Sequence, residues 1–278
     1  MKVKLARHLI LSIMFSVAFW ILAPAAWPGS LEEVESLAKR PFLDDYLSNV
    51  LFGYRLVTDT TKLAARYVGN RLRCSNCHLD AGTRAGALPL HVAGMYPKWR
   101  DKNGRSNGVG LRIRECFAYS MDGLMPPENA PEVLAISAYI NFLSKGQVIG
   151  EAPPGRGVPI VPDTGFEPNP ANGGEVYRER CSVCHGDHGD GSSNAPPLWG
   201  LNSYNKGAGM HRIPTSAGFI WANMPVGNEK SLSHQQALDV AAFLHVQLRP
   251  SDPRESRLGK LFEKLMRSFS PQQEQIPQ

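Results

Sequence analysis

The sequence predicts a mainly α-helical chain made of two tandem small domains joined by a Pro-rich linker. Three observations carry that prediction. A Cys-x-x-Cys-His pentapeptide occurs twice, as Cys74-Ser75-Asn76-Cys77-His78 and Cys181-Ser182-Val183-Cys184-His185. Each copy is followed by a Pro-Leu pair (Pro89-Leu90, Pro197-Leu198), a Met-Pro dipeptide (Met125-Pro126, Met224-Pro225) and a closing stretch with helical apolar spacing. Between the copies, Lys145 to Gly173 holds Pro153, Pro154, Pro159, Pro162, Pro168 and Pro170 among several glycines, a density that no regular element survives. A length of 278 residues is ample for two domains with separate cores.

Taken in order, residues 1–25 read as an export signal. Lys2, Lys4 and Arg7 precede an uncharged, mostly apolar run from Leu9 to Ala23, and Ala23-Pro24-Ala25 offers a small-residue cleavage site. The run is short for a spanning helix, which needs roughly 17–25 residues, and an uncleaved anchor is the alternative. Either way a periplasmic location is expected. The first domain is assigned to residues 31–144. Its N-terminal part, Leu31 to Arg66, has a helical pattern, and Thr61 to Val68 should lead helically into the first motif. Its closing helix, Ala130 to Leu143, would bury Val133, Leu134, Ile136, Tyr139, Ile140 and Leu143. The linker spans 145–172 and should be semi-rigid and packed along the surface. The second domain covers 173–250, opening with a helix at Gly174 to Arg180. It closes with one from Leu232 to Leu248, which buries Ala237, Val240, Ala241, Leu244 and Leu248. Residues 251–278 should form a short helix around Leu258, Leu261, Phe262 and Leu265 and a Gln-rich tail. The formal charge of +5 is spread along the chain, so no nucleic-acid partner is expected.

The chemistry lies in the cysteines. Four of the five, Cys74, Cys77, Cys181 and Cys184, belong to the pentapeptides, which have the haem c attachment spacing. Two thiols so spaced on a tight turn can each add to a haem vinyl group, and His78 and His185 then offer a ring nitrogen to the iron. A structural zinc site would want its Cys pairs much closer, and a thioredoxin-like motif would want a βαβ setting. The expectation is two covalently bound haem c groups in two tandem class I cytochrome c-like domains.

Each iron needs a second axial ligand, which sets its potential. In the second domain Met224, just before the closing helix, is favoured over Met210. In the first, spacing leaves Met125 and the leftover Cys116 both open, since either soft sulfur can bind haem iron. Arg112, Cys116 and Ser120 fall at i, i+4 and i+8 and share one helical face. With Lys102, Arg105 and Arg114 near in sequence, that face suits an anionic, sulfur-containing substrate.

The stretches CSNCHLDAGT, YPKWRDKNGR and RIRECFAYSMDG, and in the second half CHGDHGDG, PPLWGLNSYNKGAGM and ANMP, resemble the bacterial dihaem thiosulfate dehydrogenases. The resemblance runs from about Arg71 to Pro250 and skips the linker. It implies that Cys116 is the axial ligand of the first haem at the active site, that Arg112 and Ser120 line the substrate pocket, and that Met224 ligates the second haem. Lys102 stands where the family would have an arginine, and lysine lacks the bidentate fork. Asn223 stands where some relatives carry an alternative lysine ligand. The implied reaction joins two thiosulfate ions into tetrathionate, reversibly. Lys102, Arg105 and Arg112 hold the dianions, and electrons pass to the second haem and on to a soluble or membrane-associated acceptor such as another cytochrome c. The alternatives are a non-enzymatic electron shuttle with Met125 on the first iron, or oxidation of another sulfur oxyanion.

Overall fold

A computed structural model describes residues 29–101 and 104–255. The expected export signal, Lys102 and the expected C-terminal helix and tail lie outside the described residues.

The first half opens with α1 (Leu31–Leu37), whose N-cap Ser30 accepts a hydrogen bond from the Glu33 amide, and α2 (Asp45–Thr58), capped likewise by Asp44. Both turn an apolar face inward, burying Val34, Leu37, Val50, Leu56 and Val57. The continuous helix expected over Thr61 to Val68 does not form. The chain breaks at Asp59 into a single turn, α3 (Thr60–Leu63), and a 3-10 turn over Ala65–Tyr67. Thr60 gives the reason. Its fully buried hydroxyl donates to Leu56 O (2.7 Å) and accepts from the Cys74 amide (3.0 Å). The side chain thus ties the end of α2 to the first motif in place of helix continuation.

After His78 comes the short turn α4 (Leu79–Gly82), with Asp80 and Ala81 at φ 51° and 52°. An antiparallel hairpin follows, β1 (Lys98–Arg100) and β2 (Arg105–Asn107), in the register Trp99↔Ser106. Next are α5 (Val109–Tyr119) and α6 (Pro131–Leu143), the latter started by proline in its first turn. Helices α2 and α6 cross at Gly53, where a Cβ would stand 2.1 Å from Ala135 O, so only glycine permits the approach. The expected apolar face of α6 is buried except for Leu134, which is 54% exposed. Tyr139, fully buried, donates its hydroxyl to Ala81 O at 2.8 Å.

The second half repeats the plan. It has α7 (Pro170–Arg180), α8 (Ser182–His185), α9 (Ile213–Asn223) and α10 (His234–Val246). A capping box between Ser233 and Gln236 starts α10 two residues later than the apolar pattern suggested. Leu248 falls beyond its end and is 87% exposed instead of buried. Here too two helices, α7 and α10, cross at a glycine, Gly173, whose Cβ would lie 2.0 Å from Asp239 O. The internal repeat is therefore a pair of helix crossings of one design.

The halves are clasped by carboxamides. Asn205 Nδ2 donates to Ala118 O (2.9 Å) and Asp122 Oδ1 (2.8 Å), and Asn70 Nδ2 donates to Ser120 O (2.9 Å) and Ser203 O (3.0 Å). Tyr204 and Ala208 join the first half's apolar core. Among the described residues, no helix is long and apolar enough to cross a membrane.

Candidate functional site

The first motif winds into a 3-10 turn, Cys74–Asn76, with the Asn76 side chain accepting from the Arg73 amide at 2.7 Å. That turn sets Cys74, Cys77 and His78 in the lining of a cleft of about 250 Å³. Helix α5 lines the same cleft with Arg112, Ile113, Cys116, Phe117 and Ser120, and α6 adds Ile136 and Ile140. The cleft lies against the apolar core of the first half, and its lining is mostly apolar, as the faces of a flat macrocycle require.

The donor set fits a haem. His78 Nδ1 is hydrogen-bonded to the Leu88 carbonyl, which leaves Nε2 as the nitrogen available to iron. Burial lowers the pKa of His78 to about 4, so the ring is neutral at pH 7, the form that ligates a metal. Burial also pushes the Cys74 and Cys77 thiols up to about 12. The second half repeats the device. His185 Nδ1 bonds Pro196 O at 2.8 Å, and burial again lowers the ring's pKa. In both halves the carbonyl belongs to the residue just before the proline of the Pro-Leu pair, which gives that repeated dipeptide a physical role.

On α5, within the same cleft, Arg112 Nη1 lies 3.0 Å from Cys116 Sγ. The charge of Cys116 is the main cause that raises the Arg112 pKa. Arg112 also lies 4.0 Å from Glu115, a buried carboxylate that accepts from Asn107 Nδ2 at 2.8 Å. A chain of contacts thus runs from the hairpin through α5 to the sulfur. Ser120 lines the same cleft one turn beyond Cys116. Met125 does not line it, and its side chain is 39% exposed; Met121, buried, does.

Of the cations read from sequence, Arg112 lines the cleft. Arg105 pairs across the hairpin with Arg100 and is not among the lining residues, and Lys102 lies outside the described residues. Three cations that sequence reasoning missed line it instead: Lys98, Arg100 and Arg156, with Tyr96 beside them. Lys98 and Arg100 alternate around Trp99, a period-2 signal for one strand face that could have been used. Arg156, in the linker, offered no such signal. In the second half Met224 caps α9 and packs with Cys181 and Trp199 against one apolar cluster, whereas Met210 packs against the first half's core. Asn223, 2% exposed, donates to Gly86 O at 3.1 Å.

Helices crossing at a glycine around a Cys-x-x-Cys-His turn define a haem c-binding cytochrome, and residues 170–247 match the cytochrome c family. The whole chain is more specific. It is 44% identical over 208 residues to the thiosulfate dehydrogenase of Stutzerimonas stutzeri (strain A1501), covering 73% of this chain and 68% of that one. It is 43% identical over 217 residues to that of Thiomonas intermedia (strain K12), covering 76% and 69%. With the thiosulfate dehydrogenase of Allochromatium vinosum it shares 37% over 213 residues, covering 73% and 78%. The solved TsdBA thiosulfate dehydrogenase of Marichromatium purpuratum, in its as-isolated form, superposes with a TM-score of 0.74 at 36% identity. That match covers 82% of this chain, which spans about half the length of the solved protein (53%). The chain belongs to the thiosulfate dehydrogenase family.

Proposed function

We propose that this protein is a periplasmic dihaem cytochrome that oxidises two thiosulfate ions to tetrathionate and passes the electrons outward. The observation that carries the reading is the Arg112 guanidinium 3.0 Å from Cys116 Sγ, inside the cleft of the first haem motif. Cys74, Cys77, His78 and Cys116 would hold the first haem c, and Cys181, Cys184, His185 and Met224 the second. Bound at these two sites, haem c supplies two one-electron acceptors, the number one turnover requires.

The protein's own groups account for the rest. The cations at the cleft mouth offset the repulsion between two dianions and orient their sulfonate oxygens. The Cys116 sulfur joins the outer sulfur of one thiosulfate with loss of two electrons, giving Cys–S–S–SO3⁻. The outer sulfur of the second thiosulfate attacks that adduct, forming the central S–S bond of tetrathionate and releasing the Cys116 thiolate. Arg112 stabilises that leaving thiolate, and Ser120 offers a hydroxyl to the oxyanion. Run backwards, the same steps reduce tetrathionate. The periplasmic location rests on the N-terminal Lys2, Lys4 and Arg7 followed by the apolar run, and the final acceptor would be soluble or membrane-associated, such as another cytochrome c.

The test is a steady-state assay of the haem-loaded protein with thiosulfate and ferricyanide, with the sulfur product identified. Tetrathionate formed at one per two ferricyanide reduced is the expected result. Cys116→Gly should abolish turnover with both haems still attached, and near-normal activity in that variant would refute the mechanism.

A further inference from the structure

The interdomain segment does more than connect. Gly155 and Gly157 flank Arg156, both in left-handed backbone (φ +70° and +74°), and a Cβ on Gly155 would stand 2.7 Å from Ala85 Cβ. Their carbonyls accept from the Gly86 and Leu88 amides, each at 2.8 Å. The linker is therefore laid strand-like against the segment whose Leu88 carbonyl orients His78. So anchored, Arg156 lines the cleft and brings Nη1 to 3.9 Å from Met95 Sδ. It joins Lys98, Arg100 and Arg112 there. Among the described residues, Arg156, Lys98 and Arg100 have no carboxylate within ion-pair distance, and Arg100 Nε is buried without a hydrogen-bond partner. Cations gathered at one mouth without counter-charge repel each other, and an arriving anion relieves that cost.

We propose that Arg156 is an anion-binding residue of this cleft, supplied by the linker, which takes planar or tetrahedral oxyanion groups on its guanidinium fork. Two sources present that chemistry: the sulfonate oxygens of the substrate and the carboxylates of a haem seated in the cleft. The substrate source rests on the function proposed above, and the haem source does not.

The experiment compares wild type, Arg156→Gln and Arg156→Lys as haem-loaded full-length protein, measuring KM for thiosulfate and the midpoint potential of each haem. If the guanidinium grips substrate, Arg156→Gln raises KM about tenfold, with the potentials unmoved. If it grips a haem carboxylate, the potential of the first haem falls, because a cation near the iron has been removed, and KM holds. In either case Arg156→Lys recovers part of the change. Unmoved KM and potentials in Arg156→Gln would overturn the proposal, and so would equal effects of Gln and Lys. Should wild type fail to turn over thiosulfate, the proposed function falls, and the potential alone decides Arg156: no shift in Arg156→Gln overturns it.

Discussion

Replacing Arg112 with alanine removes the cation that contacts Cys116 Sγ, the sulfur proposed to react. The contact is a charge-assisted hydrogen bond of 3.0 Å to Cys116 Sγ, in a cleft walled by apolar side chains. Bonds of that kind are worth about 1.5–3 kcal/mol, and each 1.4 kcal/mol is a factor of ten, so kcat/KM for thiosulfate should fall roughly 10- to 140-fold. A second effect accompanies it. Glu115, buried, loses the guanidinium 4.0 Å away while keeping Asn107, which should cost a further 1–3 kcal/mol or so of stability. Arg112→Lys keeps the charge without the fork and should fall between. The assay is ferricyanide reduction at varied thiosulfate, normalised to haem content, beside a thermal melt of the same preparation. A haem-loaded Arg112→Ala protein within twofold of wild type in kcat/KM would refute the assignment of Arg112 to the reacting sulfur.

Other expectations can be checked separately. Gly53→Ala puts a Cβ 2.1 Å from Ala135 O, and the α2–α6 crossing must spread. The expected loss is about 1–3 kcal/mol, seen as a lower thermal midpoint; an unchanged midpoint would contradict the crossing. Met224→Ala removes the thioether assigned to the second iron and should lower that haem's potential while leaving the first haem's spectrum alone. An unmoved potential would take Met224 off the iron. His211 is stacked on His245 at 4.2 Å, and burial lowers its pKa from 6.5 to about 4, with His245 and nearby Arg249 and Lys206 adding to the effect. The unfolded chain therefore takes up this proton first as pH falls, and the stabilisation held above pH 6.5 is lost progressively toward pH 4. His211→Gln should flatten the fall in melting temperature across that window; equal slopes for the two proteins would exclude His211 as its source.

The class of fold was legible because its signals are local and repeated: two pentapeptides, two Pro-Leu pairs and two closing helices with one apolar face. At residues 61–68 a tertiary contact overruled a local pattern. Residues 61–68 carry a helical apolar spacing, yet the Thr60 hydroxyl spends its hydrogen bonds on Leu56 O and the Cys74 amide and ends the helix early. Leu134 and Leu248 fit a helical stripe by spacing but lie at its margin and beyond its end. At the site, i, i+4 spacing on a single helix was enough to group Arg112, Cys116 and Ser120, and all three line the cleft. Nearness in sequence misled for Arg105, which the hairpin places across from Arg100 and not along the cleft wall. Arg156 was out of reach, since only the pairing of the linker with residues 86–88 carries it to the mouth.

The amide clasp between the halves has a kinetic consequence. With Asn70 and Asn205 each bonded to backbone on the far side, the two motifs keep one separation and one orientation. In the function proposed above, an electron crossing between two haems held at those motifs would tunnel over a constant gap and wait for no diffusive swing of one half toward the other. A loosely tethered pair would slow in glycerol as its hinge is damped; in this protein the crossing rate should be indifferent to solvent viscosity.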